Sequence, residues 1–299
     1  MALYLTNIAQ MQAVRMFSKT SSELNTTYAR LSSGKRINSA KDDPAGLMIA
    51  DRLTAQINGY NQGARNLGDG IAVAQTIEGA LDEYKNMLQR IRTLSVQAAS
   101  GTYTDDDREM MDLEVVELCK ELNRISRATT FGGAQILNGN NCGLFNASGT
   151  IDIAVSGQPN DKISIPGFSE GFSISGIGGH LGITFSSSTI KSDGEGGWSF
   201  SLTSAQNAEG VIAQVDKYLS EVSSYQGTLG AVQNRMESAI RLNQVMSENL
   251  SDARSRIEDT DYAEEASKLA QLSVRQHILA TLFPRIMESK KFILSLLQF

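Results

Sequence analysis

From Val222 to Ile257 the chain repeats apolar or small side chains at alternating intervals of three and four: Tyr225, Leu229, Val232, Met236, Ala239, Asn243, Met246, Leu250, Ala253 and Ile257. That spacing keeps one seam on one side of an α-helix. A seam with a seven-residue repeat stays buried only by winding left-handedly about a partner helix. The chain is therefore organised around a long helix that must find a second one. Asn243 is the polar member of the seam, and an amide there fixes register at some loss of stability. The partner lies upstream, where Leu53, Tyr60, Leu67, Ala74, Leu81 and Leu88 recur every seventh residue, with Ile49, Ile77, Tyr84 and Ile91 interleaved and Gly63 and Gly70 weakening that second row. Leu81, Leu88 and Ile91 on one helix and Leu229, Val232, Met236, Asn243, Leu250 and Ile257 on the other are the expected bundle seam.

Local signals place the helix ends. Pro44 follows Asp42 and Asp43, and proline at the first helical position after capping carboxylates is pre-organised for a helix start. A helix from there to about Ser100 would be about 85 Å long. A further helix is expected after Thr104, whose acidic turn Asp105-Asp106-Asp107 suits a helix N-terminus; it carries Met111, Val115, Leu118, Leu122 and Ile125 on the same spacing. Thr203-Ser-Ala-Gln206 has the form of a capping box. Only Pro44 and Pro284 interrupt these flanks.

Between the flanks the composition changes. Half of the 26 glycines fall between Gly139 and Phe200, together with Pro159, Pro166 and many serines. Short apolar or alternating runs at Ile151–Ser156, Lys162–Ile165, Phe172–Ile177, Leu181–Phe185 and Trp198–Leu202 are bounded by turn residues, which predicts a small β-rich insert. The fold class is thus mainly α: an elongated coiled-coil-like bundle built from both chain ends, with the insert at its far end. The expected division is 1–42 with 260–299 as terminal helices, 43–138 with 203–259 as the bundle, and 139–202 as the insert.

The terminal segments are amphipathic, through Leu5, Ile8, Met11, Phe17, Leu24 and Leu31 at one end and Ala266, Leu269, Leu272, Ile278 and Leu282 at the other. Such helices depend on a cover for their apolar face. Pairing with each other hides one side and neighbouring molecules could hide the rest, so the ends of a free monomer are expected to be disordered.

Chemistry finds little support. The net charge of -6 and the small basic tract Arg30–Arg36 with Lys41 argue against nucleic acid as a partner. No apolar run is long enough to span a bilayer, and the N-terminus lacks the parts of a secretory signal. The 2 cysteines, Cys119 and Cys142, make no disulfide framework or metal pair. His180 in a Gly-Gly-His-Leu-Gly turn and His277 on a terminal helix have no catalytic setting. The glycine-rich pieces at Gly176 and Gly194 read as turns rather than phosphate loops, and the acidic turn at Asp105 lacks calcium-loop spacing. No catalytic, cofactor or metal residue is assigned.

The sequence resembles bacterial flagellin. The resemblance is carried by Leu31-Ser-Ser-Gly-Lys-Arg-Ile-Asn-Ser-Ala-Lys-Asp-Asp-Pro-Ala-Gly-Leu47, Leu88-Gln-Arg-Ile-Arg-Thr-Leu-Ser-Val-Gln-Ala98, Thr130-Phe-Gly-Gly-Ala-Gln-Ile-Leu-Asn-Gly139, Leu229-Gly-Ala-Val-Gln-Asn-Arg-Met-Glu-Ser238 and the run Glu248–Tyr262. It implies a subunit that polymerises into the flagellar filament for motility and is exported unfolded by the flagellar type III system to an extracellular position. Its terminal helices would form an inner tube, its bundle an outer tube, and its insert the outward face. On this resemblance Leu5, Ile8, Leu24, Leu31, Leu272 and Ile278 are subunit-packing residues. The implied partners are further copies of the chain, an export chaperone, and cap and hook-junction proteins. Family members are also recognised by a vertebrate innate immune receptor, and Arg90, Leu94 and Glu114 occupy the matching positions.

The C-terminus departs from the family pattern. The family continues with a Gln- and Ala-rich helix where this chain reads His277-Ile-Leu-Ala-Thr-Leu-Phe-Pro284, so a kink or break is expected at Pro284. A hook-filament junction protein shares the terminal helices and is the alternative reading. An exported enzyme with its site in the insert is disfavoured by the insert's small size and missing His-Glu metal motif.

Overall fold

The structure is a computed structural model describing residues 8–139, 144–146, 149–167, 170–183, 185, 188–192 and 197–296, with 9, 283 and 286–296 described by their backbone alone. Among these, the elements run α1 (Ile8–Ser33), α2 (Pro44–Ala99), α3 (Asp105–Ala128), β1 (Thr130–Phe131), β2 (Ala134–Gln135), β3 (Thr150–Ala154), β4 (Lys162–Pro166), α4 (Ile174–His180), β5 (Ile190–Ser192), β6 (Trp198–Phe200), α5 (Ala205–Glu258) and α6 (Tyr262–Leu296). The starts of α2, α3 and α5 have local causes. The Asp43 carboxylate accepts the Gly46 N–H at 2.9 Å at the head of α2. Thr104 and Asp107 form a reciprocal capping box on α3. Ser204 accepts the Asn207 N–H at 3.2 Å, which puts the cap of α5 one residue later than the Thr203 start read from the sequence.

The chain divides into two compact units, Met1–Ile57 with Glu248–Phe299, and Asn58–Ser247. In the second unit one continuous core joins Leu67, Ala74, Ile77, Leu81, Leu88 and Ile91 of α2, Val115, Cys119 and Leu122 of α3, and Val211, Val215, Val222, Leu229, Val232 and Met236 of α5. Most of these side chains are fully removed from water. Burying each contributes roughly 1.5–3 kcal/mol, so packing rather than helix propensity holds the helices together.

The insert belongs to the same core. Ile151, Ile163 and Ile165 of the antiparallel β3–β4 hairpin and Phe172, Ile174, Ile177 and Phe200 beyond it join the helix cluster. The hairpin lies along α2. A Cβ on Gly63 would meet the Val155 carbonyl oxygen at 1.7 Å, and one on Gly59 would meet the Gly157 backbone at 3.0 Å. Gly63, which thinned the α2 seam, is thus where the hairpin backbone approaches the helix too closely for any side chain, and a Cβ on Gly70 would meet the Ile153 and Met236 side chains at 3.0 Å. Asn243 on the facing helix donates to the same Val155 carbonyl at 2.7 Å. Its seam amide therefore satisfies the hairpin and does not act by pairing helix to helix.

Other ties fix the insert. Tyr218 donates to the Ile174 carbonyl at 2.7 Å, and Tyr225 to the Pro166 carbonyl at 2.5 Å. The buried Asn123 accepts the Ile174 N–H at 3.2 Å. Asp112, 4% exposed, accepts the Leu202 N–H at 2.7 Å and pairs with Lys191. Strands form at three of the five expected runs. The run Phe172–Ile177 instead becomes mostly α4, because Ser173 caps it by accepting the Gly176 N–H at 3.0 Å. The glycines read as a turn at Gly176 therefore lie in a short helix. Leu181–Ile183 is a turn rather than a strand, whereas β5 and the β1–β2 hairpin were not expected.

In the first unit α1 packs along α6. Residues 8–33 and 262–296 are helical. Of the kink or break expected at Pro284, the break does not occur, since α6 continues through it to Leu296. Proline deletes a single N–H donor, and the turns on either side keep their own hydrogen bonds.

Candidate assembly surfaces

Burial sorts the α1–α6 residues into two classes. Thr20, Leu24 and Thr27 of α1 and Glu265 and Leu272 of α6 are buried, and Leu31 is half-buried. On α6 the shielded positions 265, 269, 272, 276 and 279 keep the alternating spacing of a paired helix. Outside that seam apolar side chains face water: Ile8 (65%), Met11, Val14 and Phe17 on α1, and Val274, Ile278 (50%) and Leu282 on α6. Val274, Ile278 and Leu282 lie four residues apart and form a second stripe. Leu24 and Leu272 thus hold the two ends of one chain together, while Ile8 and Ile278 are presented outward. Leu5 lies outside the described residues.

The turns 34–38 and 258–261 of this unit are joined. Arg36 N–H donates to the Glu258 carbonyl at 2.6 Å, Thr260 N–H to the Gly34 carbonyl at 2.9 Å, and Lys35 pairs with the Glu258 carboxylate at 2.5 Å. The neighbouring turn is set by Asp42, whose carboxyl is held below its ordinary range chiefly by the Asn38 N–H, with Ser39 adding further hydrogen bonds. Sequence reading missed this junction because it rests on residues far apart in the chain. The exposed basic tract Lys35-Arg36 was its only local sign.

The expected seam is buried at Leu81, Leu88, Ile91, Leu229, Val232, Met236 and Asn243, while Leu250 and Ile257 are half-buried. Of the three candidate receptor residues, Arg90 and Glu114 meet across α2 and α3 at 2.7 Å, both exposed. Leu94 is 3% exposed and belongs to the core, which corrects its assignment to a recognition surface. Arg92 binds Asp216 at 2.6 Å, and that hydrogen bond raises the guanidinium above its ordinary value. Val96, Met110 and Leu113 are exposed on α2 and α3.

Reactive groups do not converge among the described residues. No group of three His, Cys, Asp or Glu side chains there is placed to hold a metal ion. His180 lies 3.6 Å from Glu221, His277 is exposed, and Cys119 is buried. Burial pushes the Tyr84 phenol well above its ordinary range. No described helix is long and apolar enough to cross a membrane.

A second, uncovered apolar stripe on α1 and on α6 suits helices that pair with further helices. The comparisons narrow that class. The bacterial flagellin N-terminal helical region matches residues 5–142 and the C-terminal helical region matches 212–297. Polar flagellin F of Vibrio parahaemolyticus and flagellin A of Vibrio cholerae are each 31% identical, with 98% of both chains covered. A solved structure described as flagellar hook-associated, from Vibrio parahaemolyticus, shares the fold at a TM-score of 0.55 and 14% identity, covering 73% of this chain and all of its own. The chain belongs to the bacterial flagellin family, the structural subunits of the extracellular flagellar filament.

Proposed function

We propose that the outward stripes of α1 and α6, represented by Ile8 and Ile278, are the surfaces through which copies of this subunit pack in the filament, while Leu24, Leu31 and Leu272 pair the ends of each copy. The observation that carries this is the contrast on one helix between buried Leu272 and exposed Ile278. In this reading 1–42 with 260–299 form the inner layer, 43–138 with 203–259 the outer bundle, and 139–202 the outward face. The work is mechanical and not catalytic. Export in an unfolded state, with a chaperone at the uncovered ends and cap and hook-junction proteins at the filament tip and base, fits apolar stripes that are exposed among the described residues.

Seeded elongation tests this. Wild-type monomer is expected to extend filament seeds without limit, and Ile278→Asp to leave the monomer folded and stop extension. Growth that halts at short length would instead mark a junction protein. Recognition by a vertebrate innate immune receptor is proposed on Arg90 and Glu114 alone, and a receptor response unaffected by reversing both charges would remove it.

A further inference from the structure

Folding of the unit Asn58–Ser247 has to bring together helices that lie far apart in the chain. Asp216 of α5 accepts from Arg92 at 2.6 Å and Gln233 donates to Glu78 at 3.1 Å, across sequence separations of 124 and 155 residues. Contacts of that span must first overcome the entropy of closing a long loop. The corner between α2 and α3 is of the opposite kind. Helix ends leave carbonyls and N–H groups without partners inside the helix, and here they are satisfied from within the corner. Arg108, 8% exposed, donates from Nε to the Ala98 carbonyl at 2.9 Å and from Nη2 to the Ser100 carbonyl at 3.2 Å. Its positive charge thereby stands at the negative end of the α2 dipole. Asp105 holds the guanidinium from the other side, at 2.7 Å from Nη1. Thr104 N–H donates to the Asp107 carboxylate at 2.9 Å, while Asp107 N–H donates to Thr104 Oγ1 at 3.3 Å. Gln97 donates to the Tyr103 hydroxyl at 3.0 Å. Every one of these bonds is made between residues 97 and 108.

The two helices aligned by this corner form a template for the rest. Leu94, Ala98, Val115 and Cys119 enter the shared core, and α3 carries, in Asp112 and Asn123, the acceptors for the Leu202 and Ile174 N–H groups. The insert so attached offers the Ile174 and Pro166 carbonyls to Tyr218 and Tyr225 of α5. We infer that residues 97–108 are the folding nucleus of this unit: the α2–α3 hairpin forms first, the insert assembles on α3, and α5 closes the core last. This order is independent of the filament reading.

Refolding of full-length monomer out of urea, followed by pulsed amide exchange, tests it. Residues 88–122 are expected to gain protection at least tenfold faster than residues 211–236. Rates of variants give a second readout. Thr104→Ala, which opens the capping box, is expected to slow refolding about fivefold and to change unfolding less than twofold. Arg108→Lys keeps the charge and loses the fork that reaches both carbonyls, with the same division expected. Val232→Ala, in the α5 core, is expected to do the reverse, with unfolding about tenfold faster and refolding within about twofold of wild type. Protection of 211–236 together with or ahead of 88–122, refolding unchanged in both corner variants, or refolding slowed as much by Val232→Ala as by Thr104→Ala would each overturn the nucleus.

Discussion

The two units use the same kind of amphipathic helix and finish it differently. In Asn58–Ser247 the stripes of α2, α3 and α5 close on one another and on the insert, and Leu81, Leu88, Val222 and Leu229 are entirely shielded. In the unit formed by the chain ends, α1 and α6 shield one stripe each and leave another in water. The difference teaches that coverage, not helix quality, separates the part of a polymerising subunit that is complete alone from the part that awaits a neighbour. The largest test of that contrast replaces one residue of each kind. Leu88→Ala should lower the stability of the monomer by about 2–5 kcal/mol, as large-to-small core changes do, measured by urea unfolding. Ile278→Ser should change monomer stability by less than about 0.5 kcal/mol and still abolish seeded elongation. Equal destabilisation by both would mean that the α6 stripe is covered within the monomer.

The glycine contact between α2 and the hairpin sharpens the comparison from the complete side. Gly63→Ala drives a methyl into the Val155 carbonyl and should destabilise the monomer by about 1–3 kcal/mol, as overpacking does, with exchange protection lost first at residues 150–166. Asn243→Leu removes the donor to that carbonyl and should cost about 1–3 kcal/mol for the group left unpaired. If the hairpin were a separate outward piece, neither substitution would alter the unfolding midpoint of the helices.

The helices of this fold were legible because a seven-residue repeat acts locally and its physics is that of one helix seeking another. Leu81 to Ile91 and Leu229 to Met236 were named as seam and are buried. Two kinds of feature were not legible. One was how the middle of the chain meets its flanks: Gly63 and Gly70 read as defects in a seam, although the Val155 backbone at Gly63 and the Ile153 and Met236 side chains at Gly70 fill the place that a side chain would occupy. The other was which face of an amphipathic end is shielded within its own chain. Leu272 and Ile278 are equally apolar in the sequence, and only the register of α1 against α6 separates them. The same holds for Leu94, whose motif neighbours Arg90 and Glu114 lie on the surface while it turns inward.

The smallest test concerns a defect inside the complete unit. The Tyr84 hydroxyl is fully buried and has no hydrogen-bond partner among the described residues, with Tyr218 and Cys119 as its electrostatic neighbours. Tyr218, by contrast, donates to the Ile174 carbonyl. An unpaired buried hydroxyl carries a desolvation penalty without a compensating bond. Tyr84→Phe should therefore raise the stability of the monomer by up to about 1 kcal/mol, whereas Tyr218→Phe should lower it by about the same amount. Thermal unfolding of the two variants side by side checks the sign. A loss in Tyr84→Phe would show that a buried water holds the hydroxyl, and the core of this unit would then be sealed by solvent as well as by side chains.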